Sequence, residues 1–367
     1  MKHYLPRSLS GLLAMAALCC VTAAALAEDY ELQTVAQGMN EPWSVAQLPD
    51  GEFLVTLRAG KLLRVSEGAG TTEIQGVPDT YYAGQGGFFD ILLHPDFSTN
   101  QTVYLSYAHG TPKANGTAII KATLAEDRLQ NTEQILLVSP LKATAQHYGG
   151  KMLFLPDGTL LLTTGEGFDY REDAQDPESE LGKILRINDD GSIPDDNPFT
   201  GQGSRRVWTY GHRNPQGLVL EPATGVVYMH EHGPRGGDEI NVVVAGNNYG
   251  WPAVTHGVDY SGAYVSPFTE AEGMTPPLLH WVSTIAPSGM AMYSGQHFPQ
   301  WQGDLFIGAL VEREVRRIDL DSGAVVGQES LFAELEAHIR DVRMGADGYL
   351  YILTDGSDGK LIRVNPP

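Results

Sequence analysis

A six-bladed β-propeller, all-β, is the fold this sequence predicts, and three observations predict it. Long helical periodicity is nearly absent, while glycine (42) and proline (22) are frequent among 367 residues. Short runs of β-forming residues recur, each opened by a turn built on Asp, Gly or Pro. That turn–strand–turn phrase occurs six times, a repetition that a pair of β-sandwiches would not need.

Along the chain, the phrase reads LPDGEFLVTLRAGKLLRV from Leu48, HPDFSTNQTVYLSYA from His94 and LPDGTLLLTTGEG from Leu155. It returns as EPATGVVYMHEHG from Glu221, FPQWQGDLFIGALVEREVRRIDL from Phe298 and GADGYLYILTDGSDGKLIRV from Gly345. The turns fall near positions 49, 95, 156, 222, 299 and 346, about one blade apart plus insertions. Within the phrases, residues alternate or are wholly apolar, as strands buried between neighbouring sheets should be. The spacing is irregular at Asp169–Phe199 and Pro252–Trp281. These are read as long inserted loops, the place where a rigid scaffold carries binding residues, here over the mouth of the central channel.

The propeller is expected to occupy residues 28–367 as one domain. Before it, Lys2 and Arg7 precede an apolar run from Leu9 to Leu26 that ends in Ala25-Leu26-Ala27. A charged start, an apolar stretch and a small-residue cleavage site make a secretory signal peptide over residues 1–27. The run is short for a retained anchor. Cleavage as a lipoprotein at Cys19 or Cys20 lacks a Leu three residues ahead of either. Both cysteines lie in the leader, so the mature chain has no disulfide, thiolate nucleophile or Cys-ligated metal. Net charge is −21, and loss of Lys2 and Arg7 takes it to −23. Such a surface repels nucleic acid and anionic membranes. A soluble periplasmic protein, monomer or homodimer, without stable membrane insertion is the expectation.

Four polar clusters stand at strand ends. AGQGGFFDILLHPDF places Gln85 among glycines that let backbone approach a ligand. AQHYGGKMLFLPDG puts His147 before a Gly pair and a strand. That histidine reads as a general base or as a core imidazole bonded to a carbonyl; the flanking glycines, and Glu166 beyond the next strand pair, favour the base. YGHRNPQGL gathers Arg213, Asn214 and Gln216 in one turn pinned by Pro215 and Gly217. HEHGPRGGDEINVV holds His230, Glu231, His232, Asp238 and Glu239 about a Gly-Pro turn. Its two histidines suggest zinc, but Gly233-Pro234 breaks the strand and no third His or Cys stands nearby. Carbonyls of Gly233 and Pro234 suit a hard cation better. Serine-hydrolase, NTPase and nicotinamide motifs are absent from the sequence.

These motifs, taken in order, resemble the soluble quinoprotein aldose dehydrogenases, which use pyrroloquinoline quinone (PQQ) and Ca²⁺. The likeness runs from about Glu41 to Val364. It rests on GQGG with HPDF, HYGGKMLFLPDG, GKILRINDDGSIPDDNPF, YGHRNPQGL, HGPRGGDEIN with NYGWP, APSGM, and IRDV with DGYLYILTD. The resemblance implies His147 as catalytic base, Glu166 as the carboxylate orienting it, and Gln85 on the substrate side. It implies Arg213, Asn214 and Gln216 as the turn gripping the quinone, with Thr284 and Arg340 as further cofactor contacts. Gly233 and Pro234 would hold the cofactor's calcium, with Asp238 in the same loop. Glu239 and Tyr249 resemble a second, structural calcium site. Two positions depart from the pattern: Val311 and His338 stand where glucose-oxidising members carry cations, and Arg313 and Arg235 are the candidate substitutes.

For an acidic chain, a flat tricarboxylate calls for local cations and amide donors, which explains the Arg, Asn and Gln of the 210–218 turn. The expected activity is oxidation of the C1 hydroxyl of an aldose to a lactone, with electrons passing to a separate acceptor. Two other readings use the same architecture. One is a calcium-dependent sugar lactonase with Glu166, Asn214 and Asp238 on a channel metal; the other is a non-catalytic binding propeller.

Overall fold

The computed structural model describes residues 1, 30–200 and 204–367. Apart from Met1, the predicted leader and both cysteines lie outside the described residues. Six four-stranded antiparallel sheets form a ring, with almost no helix. The predicted propeller is the observed fold. The first strands of neighbouring blades touch one another and line the centre. They are Pro42–Gln47, Phe88–Leu93, Met152–Phe154, Pro215–Leu220, Pro287–Met292 and Ile339–Met344.

The repeated phrase has one structural meaning. In every blade its turn joins the first strand to the second, as Asp50-Gly51 does between Pro42–Gln47 and Phe53–Leu57. The second strands read FLVTL, LLLT, LFIGA and LYILT and are buried throughout. They are apolar on both faces because each is sandwiched between adjacent blades. The core is accordingly divided into six main clusters, one per blade junction. Leu54, Leu62, Phe88 and Ile91 fill the first junction, and Met290, Leu305, Ile307, Tyr228 and Ile240 fill the one between the fourth and fifth blades. Full burial of one such aliphatic side chain contributes about 1.5–3 kcal/mol.

Ring closure is made by the chain ends. Strand Glu31–Met39 pairs antiparallel with Gly359–Asn365, setting Leu32 against Val364 and Thr34 against Ile362. Val35, Met39, Leu353 and Leu361 then join Val45 and Val55 in the junction between last and first blades.

Both stretches read as inserted loops contain strands. Lys183–Ile187 is the buried third strand of the third blade, and Leu279–Trp281 is the outer strand of the fourth. The genuine loops run over 164–182 and 244–278, the first shorter and the second longer than the stretch read for it. The second leaves the fourth blade after Val243 and returns along the seam with the third, where Tyr249 N donates to Tyr210 O (2.9 Å) and Trp251 N to Gly211 O (2.9 Å). It then crosses to the opposite face, where Val258 bridges Arg235. Among the described residues no helix is long and apolar enough to cross a membrane.

Candidate active site

Antiparallel order fixes which face carries chemistry. Turns between first and second strands lie on one face. Links from an outer strand to the next blade, and links between second and third strands, lie on the other. Gln85, His147, Arg213 and Thr284 are on links of the first kind, and Glu166, Gly233 and Pro234 on links of the second.

His147 is buried and sits in the left-handed region with φ 47°. For a non-glycine residue that conformation costs roughly 1–3 kcal/mol and persists only where its surroundings enforce it. Here the His147 amide donates to Gln85 Oε1 (2.8 Å), and two residues on, the Gly149 amide donates to Asn214 Oδ1 (3.0 Å). The ring lies with Nδ1 2.6 Å from Glu166 Oε2, which also accepts from the Phe168 amide at 2.5 Å. Burial lowers the imidazole's affinity for a proton; Glu166 opposes this, and the Arg213 and Lys142 charges reinforce it. The ring is therefore neutral near pH 7. With Nδ1 committed to the carboxylate, Nε2 is the nitrogen that can take a proton.

Arg213 is tied in at both ends. Its carbonyl accepts from the Glu166 amide (2.9 Å), and its own amide donates to Glu231 Oε2. The guanidinium donates to Gly233 O (2.7 Å) and His232 O (3.2 Å), reaches Tyr260 Oη (3.4 Å), and stands over the Trp251 ring. The expected quinone-binding cation and the expected calcium-binding carbonyl are thus in direct contact. Asp238 fixes the Gly233 turn by accepting from the amides of Gly233, Ile285 and Ala286, each at 2.9 Å, and from Thr284 Oγ1 (2.5 Å). An unbroken bonded path therefore runs Gln85–His147–Glu166–Arg213–Gly233–Asp238–Thr284.

The remaining expected residues are placed differently. Gln216 Oε1 accepts from His232 Nε2 (2.8 Å). Arg340 is engaged by Asp355, with Nε 3.1 Å from Oδ2, although its charge acts on His232 together with that of Arg213. Val311, Arg313 and Arg235 are exposed, and the His338 ring meets Leu310 O. Glu239 and Tyr249 line a cavity of about 340 Å³ with Glu231, between the fourth blade and its 244–278 loop. The Tyr249 hydroxyl donates to Val242 O and accepts from Val244 N. Burial, followed by the Glu231 charge, pushes Glu239 up to about 8. Two carboxylates crowded in one cavity match the donor chemistry of a hard cation. Among the described residues no group of three or more His, Cys, Asp or Glu side chains gathers to hold a metal, so other ligands would have to be carbonyls or water.

His230 and His232 diverge. His230 lies fully buried in the core, and burial pushes it down to about 3. His232 leaves the strand for Gln216. The lactonase ligand set does not assemble either, since Glu166 serves His147 while Asp238 serves the Gly233 turn.

The sequence pattern over residues 39–363 matches the family described as Glucose / Sorbosone dehydrogenase. The chain belongs to that family, an oxidoreductase family. It is 39% identical over 361 residues to aldose sugar dehydrogenase YliI of Escherichia coli K12, covering 95% of this chain and 97% of that protein. It is 28% identical to quinoprotein glucose dehydrogenase B of Acinetobacter calcoaceticus, covering 91% and 87%. The solved PQQ-bound form of the aldose sugar dehydrogenase of Streptomyces coelicolor superposes with a TM-score of 0.77 at 29% identity, covering 92% of this chain and 98% of that one.

Motif reading left three contributors to this site without a role. Glu231 braces both His212 (Nδ1 to Oε1, 2.9 Å) and the Arg213 amide; its place between two histidines was visible, its direction was not. Tyr260 comes from the 244–278 loop and stacks on Phe168, whose ring meets His147 edge-on at 5.2 Å. Lys142 lies behind the base. Nothing in the spacing of either residue signals its approach.

Proposed function

We propose that this protein is a periplasmic quinoprotein dehydrogenase that oxidises the C1 hydroxyl of aldoses to lactones, using PQQ and calcium. The observation that carries the reading is the 2.6 Å His147–Glu166 contact within one bonded network with Gln85, Asn214 and Arg213. In a protein of net charge −21, this face offers Arg213, Arg340, Asn214, Gln216 and Thr284, a set suited to a flat polyanion. Those residues would hold PQQ, and the Gly233 and Pro234 carbonyls would hold its calcium. Arg213 would then turn from Gly233 O toward a carboxylate. When bound, PQQ with calcium supplies the two-electron acceptor.

The chain's own part is proton handling and orientation. His147 Nε2 takes the C1 hydroxyl proton as hydride leaves C1, and Glu166 stabilises the imidazolium that results. Gln85 and Asn214 hold the turn that aims the ring. Arg213 offers positive charge where negative charge develops. Electrons leave to a separate acceptor.

The test is reconstitution of the purified protein with PQQ and Ca²⁺, then addition of an aldose while quinone absorbance is followed. Reduction on adding sugar supports the reading, and no uptake of PQQ overturns it. His147→Ala should bind PQQ as before and lose about 10²–10⁴-fold in turnover; near-normal turnover would remove His147 from its role.

A further inference from the structure

Lys142 is 1% exposed, and the chemistry above makes no use of it. Its ammonium donates to Gln146 O (2.8 Å), Thr144 O (2.9 Å) and Asn115 Oδ1 (3.4 Å), using all three hydrogens. It also lies 3.4 Å from the centroid of the Tyr148 ring. Gln146 and Tyr148 are the two neighbours of His147, so this one side chain grips the turn carrying the base on both flanks. Its methylenes press on the loop carrying the carboxylate: a Cβ at Gly167 would stand 2.6 Å from Lys142 Cδ. Thr144 Oγ1 closes the same seam by donating to Gly167 O at 2.5 Å.

A buried ammonium is an expensive way to fill space, because an apolar side chain of similar volume would pack there without the desolvation cost. Its retention beside a strained histidine and that histidine's carboxylate therefore points beyond packing. We propose that Lys142 is a positioning residue for the general base. It fixes the 144–148 turn that aims the His147 imidazole, and it sets a positive charge behind the His147–Glu166 pair. The proposal rests on the reading of His147 as base.

The charges around Lys142 act in a definite direction. Glu166 favours the ammonium, while burial opposes it more strongly and brings the lysine down to about 7. The other titratable groups facing this seam are His147 and the phenols of Tyr148 and Tyr170, the last accepting from the Ala143 amide at 3.0 Å, while Arg213 acts on His147. The lysine charge is among those that lower the His147 proton affinity, so its removal must raise it.

The test uses Lys142→Met and Lys142→Gln, with His147→Ala as reference. In the apoprotein, NMR titration of the His147 ring should show its midpoint moving up in both lysine variants. After reconstitution with PQQ and Ca²⁺, kcat of Lys142→Met should fall about 10–100-fold, the scale of a misplaced catalytic group, with KM little changed. Lys142→Gln keeps a donor for Gln146 O without the charge, so it should recover part of kcat and none of the titration shift. If Lys142→Met does not fold, Lys142→Gln alone decides. An unmoved His147 midpoint or an unmoved kcat in a folded variant overturns the proposal. If His147→Ala abolishes turnover while a folded lysine variant is unaffected, only the role of Lys142 falls. If His147→Ala itself keeps turnover, the base assignment falls.

Discussion

The two faces of the disc solve the same problem by different means. On the face of the repeated turns, one short local hydrogen bond recurs. Asp50 accepts from the Glu52 amide (3.0 Å), Asp157 from Thr159 (2.9 Å) and Asp347 from Tyr349 (3.2 Å). Each of these turns makes a bond of its own within two residues, and longer bonds from Arg186 to Asp157 and from Gln47 to Asp347 are added to it. On the opposite face the bonds that matter join different links of the chain: Gln85 to His147, Asn214 to Gly149, and Glu166 to the Arg213 backbone. The strained residues next to the chemistry, His147 and Phe168, are on this face too. Local satisfaction makes a scaffold that tolerates change, and distant satisfaction makes a site that holds a costly geometry.

Glycines separate the faces most sharply. A Cβ at Gly165 would stand 2.4 Å from His147 backbone carbon and oxygen and 2.7 Å from Asn214 Oδ1. Gly165→Ala should therefore displace the base and lower turnover by about 10²-fold or more, measured as kcat of the reconstituted enzyme. Glu166→Gln comes next. It leaves the shape intact but removes the charge that orients the imidazole, and kcat should drop by about 10–100-fold with Tm unchanged, the range seen when a supporting partner is lost. Full activity in either variant would mean that the two faces differ less than their hydrogen bonds suggest.

Gly158, in a repeated turn, is the counterpart. It has φ 83° and open space where a Cβ would go. Gly158→Ala should cost about 1–2 kcal/mol in stability by chemical denaturation and nothing in kcat. A loss of activity there would show the faces to be coupled through the third blade.

The smallest effect concerns the 244–278 loop. His256 stacks on His280 of the fourth blade's outer strand at 3.8 Å and 6°. Burial, then the His280 charge, holds His256 below its ordinary value. The unfolded chain therefore binds a proton more readily than the folded one as pH drops through the usual histidine range. Stability is retained above that range and declines as pH falls through it. Tm measured at pH 5 and pH 7 should differ less in His280→Gln than in the parent; an equal difference would remove the pair as its source.

The same contrast explains what the sequence revealed. The turns were legible because each is written in adjacent residues, such as Pro49-Asp50-Gly51, and so were the all-apolar second strands. The closing strand Glu31–Met39 was not, since ELQTVAQGM is an outer strand buried mainly at Val35 and Met39 and shows little alternation. Leu279–Trp281 is too short to carry a period, and KILRI was hidden between acidic loops. At the site, ordered motifs pointed to Gln85, His147, Glu166, Arg213 and Asn214, which the fold connects. Lys142 and Tyr260 enter only through three-dimensional approach. The pairing of Gly233 O with the Arg213 guanidinium is likewise unreadable, because the two motifs lie 20 residues apart and point to different ligands.

The pairing of Glu31–Met39 with Gly359–Asn365 has a temporal meaning. The earliest stretch of the propeller to be synthesised can find its neighbour only after the final one exists, so five junctions between blades are free to form while the sixth waits. A loop spanning nearly the entire polypeptide is slow to shut. The circle is therefore completed last, and damage to either terminus should open it first.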